Sequence, residues 1–454
     1  MKSKITILST IFILGSVIVK AQLSPAITSW LQNNTVTGRH YINGNPTPIV
    51  DADLANCQMV QYSASWVYVT TKGIPAYISG PFLDGNPSFA TNQNAIFKFP
   101  LAPVQNTGTP ISTTMGNIGV FINGVALFDY RDGVSWQNST NSLKGGPLGG
   151  MGDGVWNRDA VVGERIGFDC SKGHPAMGNY HHHQNPSAFK FDLTVISTVC
   201  VIYNSDGLYA IDSTQHSPLI GFAYDGYPIY GAYAYKNANG TGGIVRMKSS
   251  YTLRSISVRT TYAGSTVAVT PGPAVSGTYP LGYFKEDYQY NTTSTLTPDY
   301  LDDHNGRFCV TPEYPAGTYC YFATVTNAWN SAYPYVVGPT FYGTKVAAKV
   351  TSIGEATTTY TLPTGISKNT IKDFNVMVFP NPASDMIMVQ LNNLTKENVS
   401  IELYDMSGKL VQKTSVYQGS TTAYIDLKMI YDGQYIVKVS DGNSVLSKKI
   451  LVQR

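Results

Sequence analysis

No stretch of this chain keeps an apolar repeat of three to four residues over helical length; short runs rich in β-branched and aromatic residues recur instead. Trp66-Val67-Tyr68-Val69-Thr70, Ile118-Gly119-Val120-Phe121-Ile122 and Phe191-Asp192-Leu193-Thr194-Val195 are examples, each bounded by Gly, Pro or Asn. Such a pattern predicts a mainly β protein. The 454 residues exceed one ordinary core, so two or more domains are expected. Charged residues make up 13% of the chain, against about 25% in an average soluble protein. The 32 tyrosines, 42 glycines and 25 prolines fit a turn-rich β protein with an uncharged, aromatic surface. A net charge of +3 with no basic cluster argues against nucleic acid as a partner.

The N-terminus sets the compartment. Lys2 and Lys4 precede an apolar run from Ile5 to Val19, and Val19-Lys20-Ala21 offers a small-residue cleavage site before Gln22. Residues 1–21 read as a signal peptide. The run is shorter than the roughly 20 residues that span a bilayer, which argues against an anchor, and no later segment is long and apolar enough for a transmembrane span. Export makes disulfides plausible for the five cysteines, one of which must remain over. Cys309 and Cys320 are the candidate pair, lying in two strand-like stretches joined by a turn through Pro315 and Gly317. Sequence does not pair Cys57, Cys170 and Cys200, which also suit small buried core positions.

Residues 22–349 form the expected large β-rich domain, and the Thr/Ser-rich stretch 350–372 reads as a linker. From 373 to 454 the pattern becomes regular. Strands are expected at Val376–Phe379, Met386–Val389, Val399–Tyr404, Tyr424–Leu427, Tyr435–Val439 and Lys448–Val452, with turns at Ser407-Gly408 and Asp441-Gly442. About 80 residues of this kind suggest a small Ig-like β-sandwich. Phe379-Pro380-Asn381-Pro382-Ala383-Ser384-Asp385, Leu403-Tyr404-Asp405-Met406-Ser407-Gly408-Lys409-Leu410-Val411 and Gly433-Gln434-Tyr435-Ile436-Val437-Lys438-Val439 occur in order. They resemble the type A C-terminal sorting domain of the type IX secretion system. The resemblance implies that the secretion machinery is a partner of 373–454, and that the protein is released or held on the outer-membrane surface of a Bacteroidetes-type bacterium. An ordinary Ig-like binding module is the competing reading.

Four of the seven histidines lie close together: His174, then His181, His182 and His183. In an extended strand His181 and His183 project to one face and His182 to the other. Two adjacent imidazoles are half of a metal site suited to zinc or copper. A turn at Gly178-Asn179 would bring His174 back as a third ligand. His216, His304, Asp225 and Glu313 are more distant donors. His-x-His also arises by chance, and histidines in tyrosine-rich β proteins serve structure as well.

Two further segments concentrate aromatic and polar residues: Ile220 to Gly231, containing Asp225 and Tyr230, and Asp302 to Tyr319, containing His304, Arg307 and Glu313. Cross-strand packing and turn formation account for much of this. The functional reading has these loops converge with the histidine strand, where Tyr180, His182, Tyr230 and Arg307 orient a ligand or support the metal ligands. Gly167-Phe168-Asp169-Cys170, Gly173-His174-Pro175, Tyr180-His181-His182-His183, Gly226-Tyr227-Pro228-Ile229-Tyr230-Gly231, Asn305-Gly306-Arg307-Phe308, Thr311-Pro312-Glu313-Tyr314 and Tyr333-Pro334-Tyr335-Val336-Val337-Gly338-Pro339 follow in order. Together they resemble the YHYH-domain family over about 57–343, with His182 standing where the name motif has its second tyrosine. The family brings no reaction with it.

The leading expectation is an exported zinc- or copper-binding protein, catalytic or not, with His181, His183 and His174 as ligands. The alternative is a secreted or surface module for a glycan, protein or small molecule, with structural histidines and with Trp136, Trp156 and Trp329 as contact residues. A hydrolase using His181 with Glu313 or Asp225 lacks a Gly-x-Ser-x-Gly nucleophile turn. The glycine cluster from Gly145 to Gly154 lacks the setting of a phosphate loop and reads as a flexible loop.

Overall fold

A computed structural model describes residues 23–187, 213–362 and 376–454, apart from short gaps at 87, 293–296, 347, 392–397, 407, 418 and 442–444. The signal-peptide reading, the strand expected at Phe191–Val195, Cys200 and the second half of the expected linker lie outside the described residues. The chain divides into two compact units, Met1–Leu362 and Pro363–Arg454. No helix among the described residues is long and apolar enough to cross a membrane.

The first unit is built around an eight-stranded mixed sheet. Its spatial order is His174–Ala176, Asn179–His182, Ala126–Phe128, Asn117–Phe121, Leu219–Ala223, Pro228–Tyr230, Thr318–Phe322 and Gly306–Cys309. Most neighbours are antiparallel, but Asn179–His182 runs parallel to Ala126–Phe128, and Pro228–Tyr230 parallel to Thr318–Phe322. A five-stranded antiparallel sheet packs against it in the order Ala348–Val350, Ala95–Pro100, Trp66–Thr71, Cys57–Tyr62, Thr358–Tyr360. Phe99 and Phe222 meet across the two sheets at 6.2 Å between ring centroids, with Trp30 against both. Strands buried on both sides read as continuous apolar runs, and Ile118 to Phe121 and Leu219 to Ala223 do so.

The expected linker contributes Thr358–Tyr360 as an edge strand, paired with Cys57–Tyr62, and the unit boundary falls within the stretch 350–372. Thr is at home on such an edge, where backbone pairing and one half-buried face suffice. Cys309 and Cys320 are buried free thiols in this structure, as is Cys57. The hairpin itself is present, but its register pairs Cys309 with Thr318 and Arg307 with Cys320. The two cysteines are therefore diagonal neighbours on the hairpin, with their side chains in contact. Cys170 is disulfide-bonded.

The second unit is a β-sandwich. Val376–Phe379, Met386–Leu391 and Thr422–Asp426 form a three-stranded sheet, and Leu410–Val416, Val399–Asp405, Gly433–Ser440 and Val445–Val452 a four-stranded one. Leu410–Val416 is a strand the sequence reading passes over, because its outer positions are mixed and little alternation shows. Elsewhere alternation is clear: Val399, Ile401 and Leu403 point into the core while Ser400 and Glu402 point out.

Candidate metal centre

The hairpin that carries the histidines is set by its turn. Ala176 pairs with Asn179, so the loop is Met177-Gly178, both at positive φ (48° and 83°) as a two-residue type I′ turn requires. The turn sits one residue earlier than the expected Gly178-Asn179. This register places His174 directly opposite His181. Alternation then does the rest, since His181 and His183 share a face and bring their Nε2 atoms to 3.1 Å, while His174 Nε2 lies 3.4 Å from His183 Nε2. The three donor atoms all lie within 4.8 Å of one another.

A fourth group joins them from outside the motif. Asp159 caps the short helix Ala160–Gly163 by accepting from Val161 N at 2.9 Å, and Glu164 follows at the C-cap. Glu164 Oε2 lies 3.3 Å from His174 Nε2 and 3.2 Å from His183 Nε2. That oxygen is buried and has no hydrogen bond of good geometry. Nothing in the sequence pattern marks Glu164, an isolated acid ten residues before His174.

The tautomers follow from the far side of each ring. His181 Nδ1 faces the carbonyl oxygen of Asn179 at 2.8 Å, and His183 Nδ1 that of Asp129 at 2.6 Å. A carbonyl only accepts, so both Nδ1 atoms carry hydrogen, and each ring in its neutral form turns an Nε2 lone pair inward; these protons are assigned from the hydrogen-bond network. Carbonyl partners of this kind orient ligating imidazoles in metal sites. The rings are held tightly: Phe128 stacks on His181 at 3.8 Å, and Phe168 sets its edge against His174 at 4.9 Å.

Electrostatics agree with this picture. Burial, then the neighbouring His174 and His183, push His181 well below the ordinary histidine range. Burial also opposes charge on His183, but Glu164 outweighs it and raises that group. Burial alone would raise Glu164; its two histidine partners hold it below the usual carboxylate range. The centre thus keeps an anionic carboxylate among rings of which at least one is held neutral.

His182 faces away from this cluster. Its Nε2 meets Tyr77 OH at 2.7 Å and its Nδ1 the Lys172 carbonyl at 2.9 Å, and burial pushes its pKa down to about 3. Tyr180, on the same face, is fully buried and donates to Asp169 Oδ2 at 2.8 Å. Asp169 also accepts from the backbone N–H groups of Gly80, Ser171 and Gly173, which fixes the bend leading into the hairpin.

The remaining candidates are engaged elsewhere. Asp225 accepts from Tyr321 OH at 2.5 Å and Gly343 N at 2.8 Å. Tyr230 OH binds Thr311 Oγ1 and Glu313 Oε2, each at 2.8 Å. His304 Nδ1 meets Thr340 Oγ1 at 2.7 Å, and His216 Nδ1 the Ser217 carbonyl at 2.7 Å. Arg307 donates to the carbonyls of Tyr235, Lys236 and Pro298. Its strand lies at the opposite edge of the eight-stranded sheet, six strand spacings from Asn179–His182, on the order of 30 Å. The expected convergence of these loops on the histidines does not occur. Trp136 and Trp156 are buried with Phe284, so neither is a surface contact, whereas Trp329 is 39% exposed. Within the glycine cluster Gly145 and Gly152 pack so closely on Gly133 and Ser135 that a Cβ there would collide, whereas Gly149 and Gly154 are open to solvent.

With the centre described, comparison with known proteins becomes informative. A model described as YHYH protein matches residues 96–335, more than half of the chain and including the whole histidine hairpin. The chain belongs to the YHYH protein family. In this YHYH protein the name motif is Tyr180 to His183, with His182 as the departure. A second model, the secretion system C-terminal sorting domain, matches residues 377–453. The YHYH protein is therefore a secreted or cell-surface protein. It is also similar to an endo-acting ulvan lyase of Formosa agariphila, 30% identical over 89 residues, which cover 19% of this chain and 17% of that enzyme.

Proposed function

We propose that the first unit is an exported metal-binding module that holds one zinc ion on His174, His181, His183 and Glu164. The observation that carries this reading is the pair of inward lone pairs on His181 and His183, 3.1 Å apart with a buried carboxylate oxygen beside them. Two imidazole nitrogens at that distance share either a proton or a metal ion, and the third imidazole and the carboxylate beside them make a donor set suited to the metal. Four donors around zinc at about 2.0–2.1 Å lie roughly 3.3–3.4 Å from one another in a tetrahedron. The separations between His181 and His183, His174 and His183, and Glu164 and its two partners His174 and His183 run from 3.1 to 3.4 Å, and the three histidine donors lie within 4.8 Å of one another, so His174, His181 and His183 form the core of the set and Glu164 joins it from the side of His174 and His183. Imidazole-rich sets also take copper, but Cu(II) prefers a square-planar arrangement, so zinc ranks first. The unit that ends at Leu362 is the module, and the sorting domain at 377–453 is the address read by the type IX machinery.

The test is elemental analysis of the full chain, free of any His tag, beside His181→Ala/His183→Ala and Glu164→Ala. One zinc per parent chain is expected, none in the double variant, and at least tenfold weaker zinc binding in Glu164→Ala. A parent chain that takes up neither zinc nor copper after incubation with each overturns the reading.

A further inference from the structure

Between the strands Tyr251–Leu253 and Tyr288–Tyr290 the chain runs from residue 254 to 284 without a helix or a strand. Loops of that length in a compact domain are uncommon unless they serve a function or are disordered. This one is pinned from within. Arg259 is fully buried and grips Asp287 with two parallel bonds, Nε to Oδ1 at 2.7 Å and Nη2 to Oδ2 at 2.8 Å. Its remaining donors go to the carbonyls of Pro273, Tyr279 and Pro280. Trp156 Nε1 holds the far arm through the Thr270 carbonyl at 2.9 Å. A buried ion pair is weak as a source of net stability, so its contribution here is to fix one geometry.

The geometry it fixes is one wall of an open cleft of about 520 Å3, lined by Tyr251, Tyr262, Tyr288, Tyr290, Tyr333 and Lys285. Strand register sets Tyr251 opposite Tyr290, with ring centroids 5.4 Å apart. Tyr288 lies flat on Tyr333 at 4.0 Å, and Tyr333 is itself buried as a backing ring. Tyr262, 39% exposed, stands on the pinned loop, where its hydroxyl donates to the Val155 carbonyl at 3.2 Å. The amides of Gln289 and Asn291 line the same cleft. Lys285, the lysine in the lining, is 3.3 Å from Glu286 and so is compensated.

We propose that this cleft binds a neutral carbohydrate chain. Tyrosine offers a flat apolar face for the C–H side of a sugar ring, and the neighbouring amides and hydroxyls match sugar hydroxyls. A compensated lysine gives an acidic sugar no preference over a neutral one. A wall fixed before binding lowers the ordering cost that weak polar ligands cannot meet. This inference stands apart from the metal centre and does not rest on it.

Affinity electrophoresis of the full chain in gels containing laminarin, xylan or alginate tests it, with and without prior EDTA treatment. Retardation by a neutral polysaccharide is expected, unaffected by EDTA and weakened at least tenfold in Tyr262→Ala/Tyr290→Ala. Tyr262→Ala alone, at an exposed position, guards against misfolding of the double variant and is expected to weaken retardation at least threefold. No retardation in any gel, retardation confined to alginate, or retardation unchanged in both variants overturns the proposal.

Discussion

The two units of this protein bury different things. In the sandwich of residues 376–454 the buried described positions are apolar, from Val376 to Val452, and they alternate with outward polar residues. In residues 23–362 the buried positions include His174, His181, His182, His183, Asp159, Asp169, Asp225, Arg259 and Asp287, each held by named partners. A buried polar group costs free energy unless it is satisfied, so an apolar core is the simpler route to a stable sandwich. The sandwich carries the match to the secretion system C-terminal sorting domain. The large unit carries polar groups into its interior, and these build the histidine cluster that could hold a metal and pin the tyrosine cleft.

The sharpest way to break this contrast is to damage the apolar core alone. Ile401→Ala is expected to destabilise the sandwich by about 2–5 kcal/mol, the usual cost of truncating a buried Ile, while zinc content per chain stays at the parent value. Loss of metal in that variant would show that the two cores are not independent.

Acid should separate the units next. Burial raises the Asp225 carboxyl to about 6, against its bonds from Tyr321 and Gly343. Folded Asp225 therefore keeps a proton between about pH 4 and 6 that the unfolded chain has lost, so stability falls as pH rises through that window. Acidifying from pH 7 to 4 should return up to about 3 kcal/mol from this group. Calorimetry of Asp225→Asn should show a correspondingly weaker pH dependence for the large unit. In the sandwich, Tyr404, Lys413 and Lys438 lower Glu402 instead, so its contribution is present above the unfolded pKa and is lost on acidification. This surface effect is small and of opposite sign. An unchanged pH slope in Asp225→Asn would remove the argument.

The smallest effect is expected at His182. His182→Gln keeps a polar group near Tyr77 and the Lys172 carbonyl, so a stability loss of about 1–2 kcal/mol should come with unchanged zinc stoichiometry. Loss of zinc would mean that the motif position facing away from the triad still governs it.

Strand positions in the sandwich were legible because period-2 alternation survives wherever one face is buried, as at Val399 to Leu403. The shared face of His181 and His183 was legible for the same reason. Sequence placed His174 as a third candidate, but the turn that sets it opposite His181 depends on Met177 adopting a left-handed conformation, which residue type alone does not announce. Glu164 was invisible because its approach depends on a four-residue helix and its cap. Tyr230, Arg307 and Glu313 were misplaced, since motif order along the chain says nothing of strand order in the sheet. The pinned loop from 254 to 284 carries no periodic signal at all, and a single buried arginine, Arg259, holds it.

The sequence by itself determined the β class, the division into a large unit and a sorting sandwich, the address outside the cell, and which histidines share a face. Each of these is local, set by alternation, composition or a contiguous motif. The tertiary structure alone decided that a glutamate outside the motif closes on the histidines, that the second aromatic-rich region lies across the sheet from them, and that tyrosines from separate segments line one cleft. These depend on contacts between residues far apart in the chain, which the order of strands and the satisfaction of buried polar groups select and no local pattern encodes.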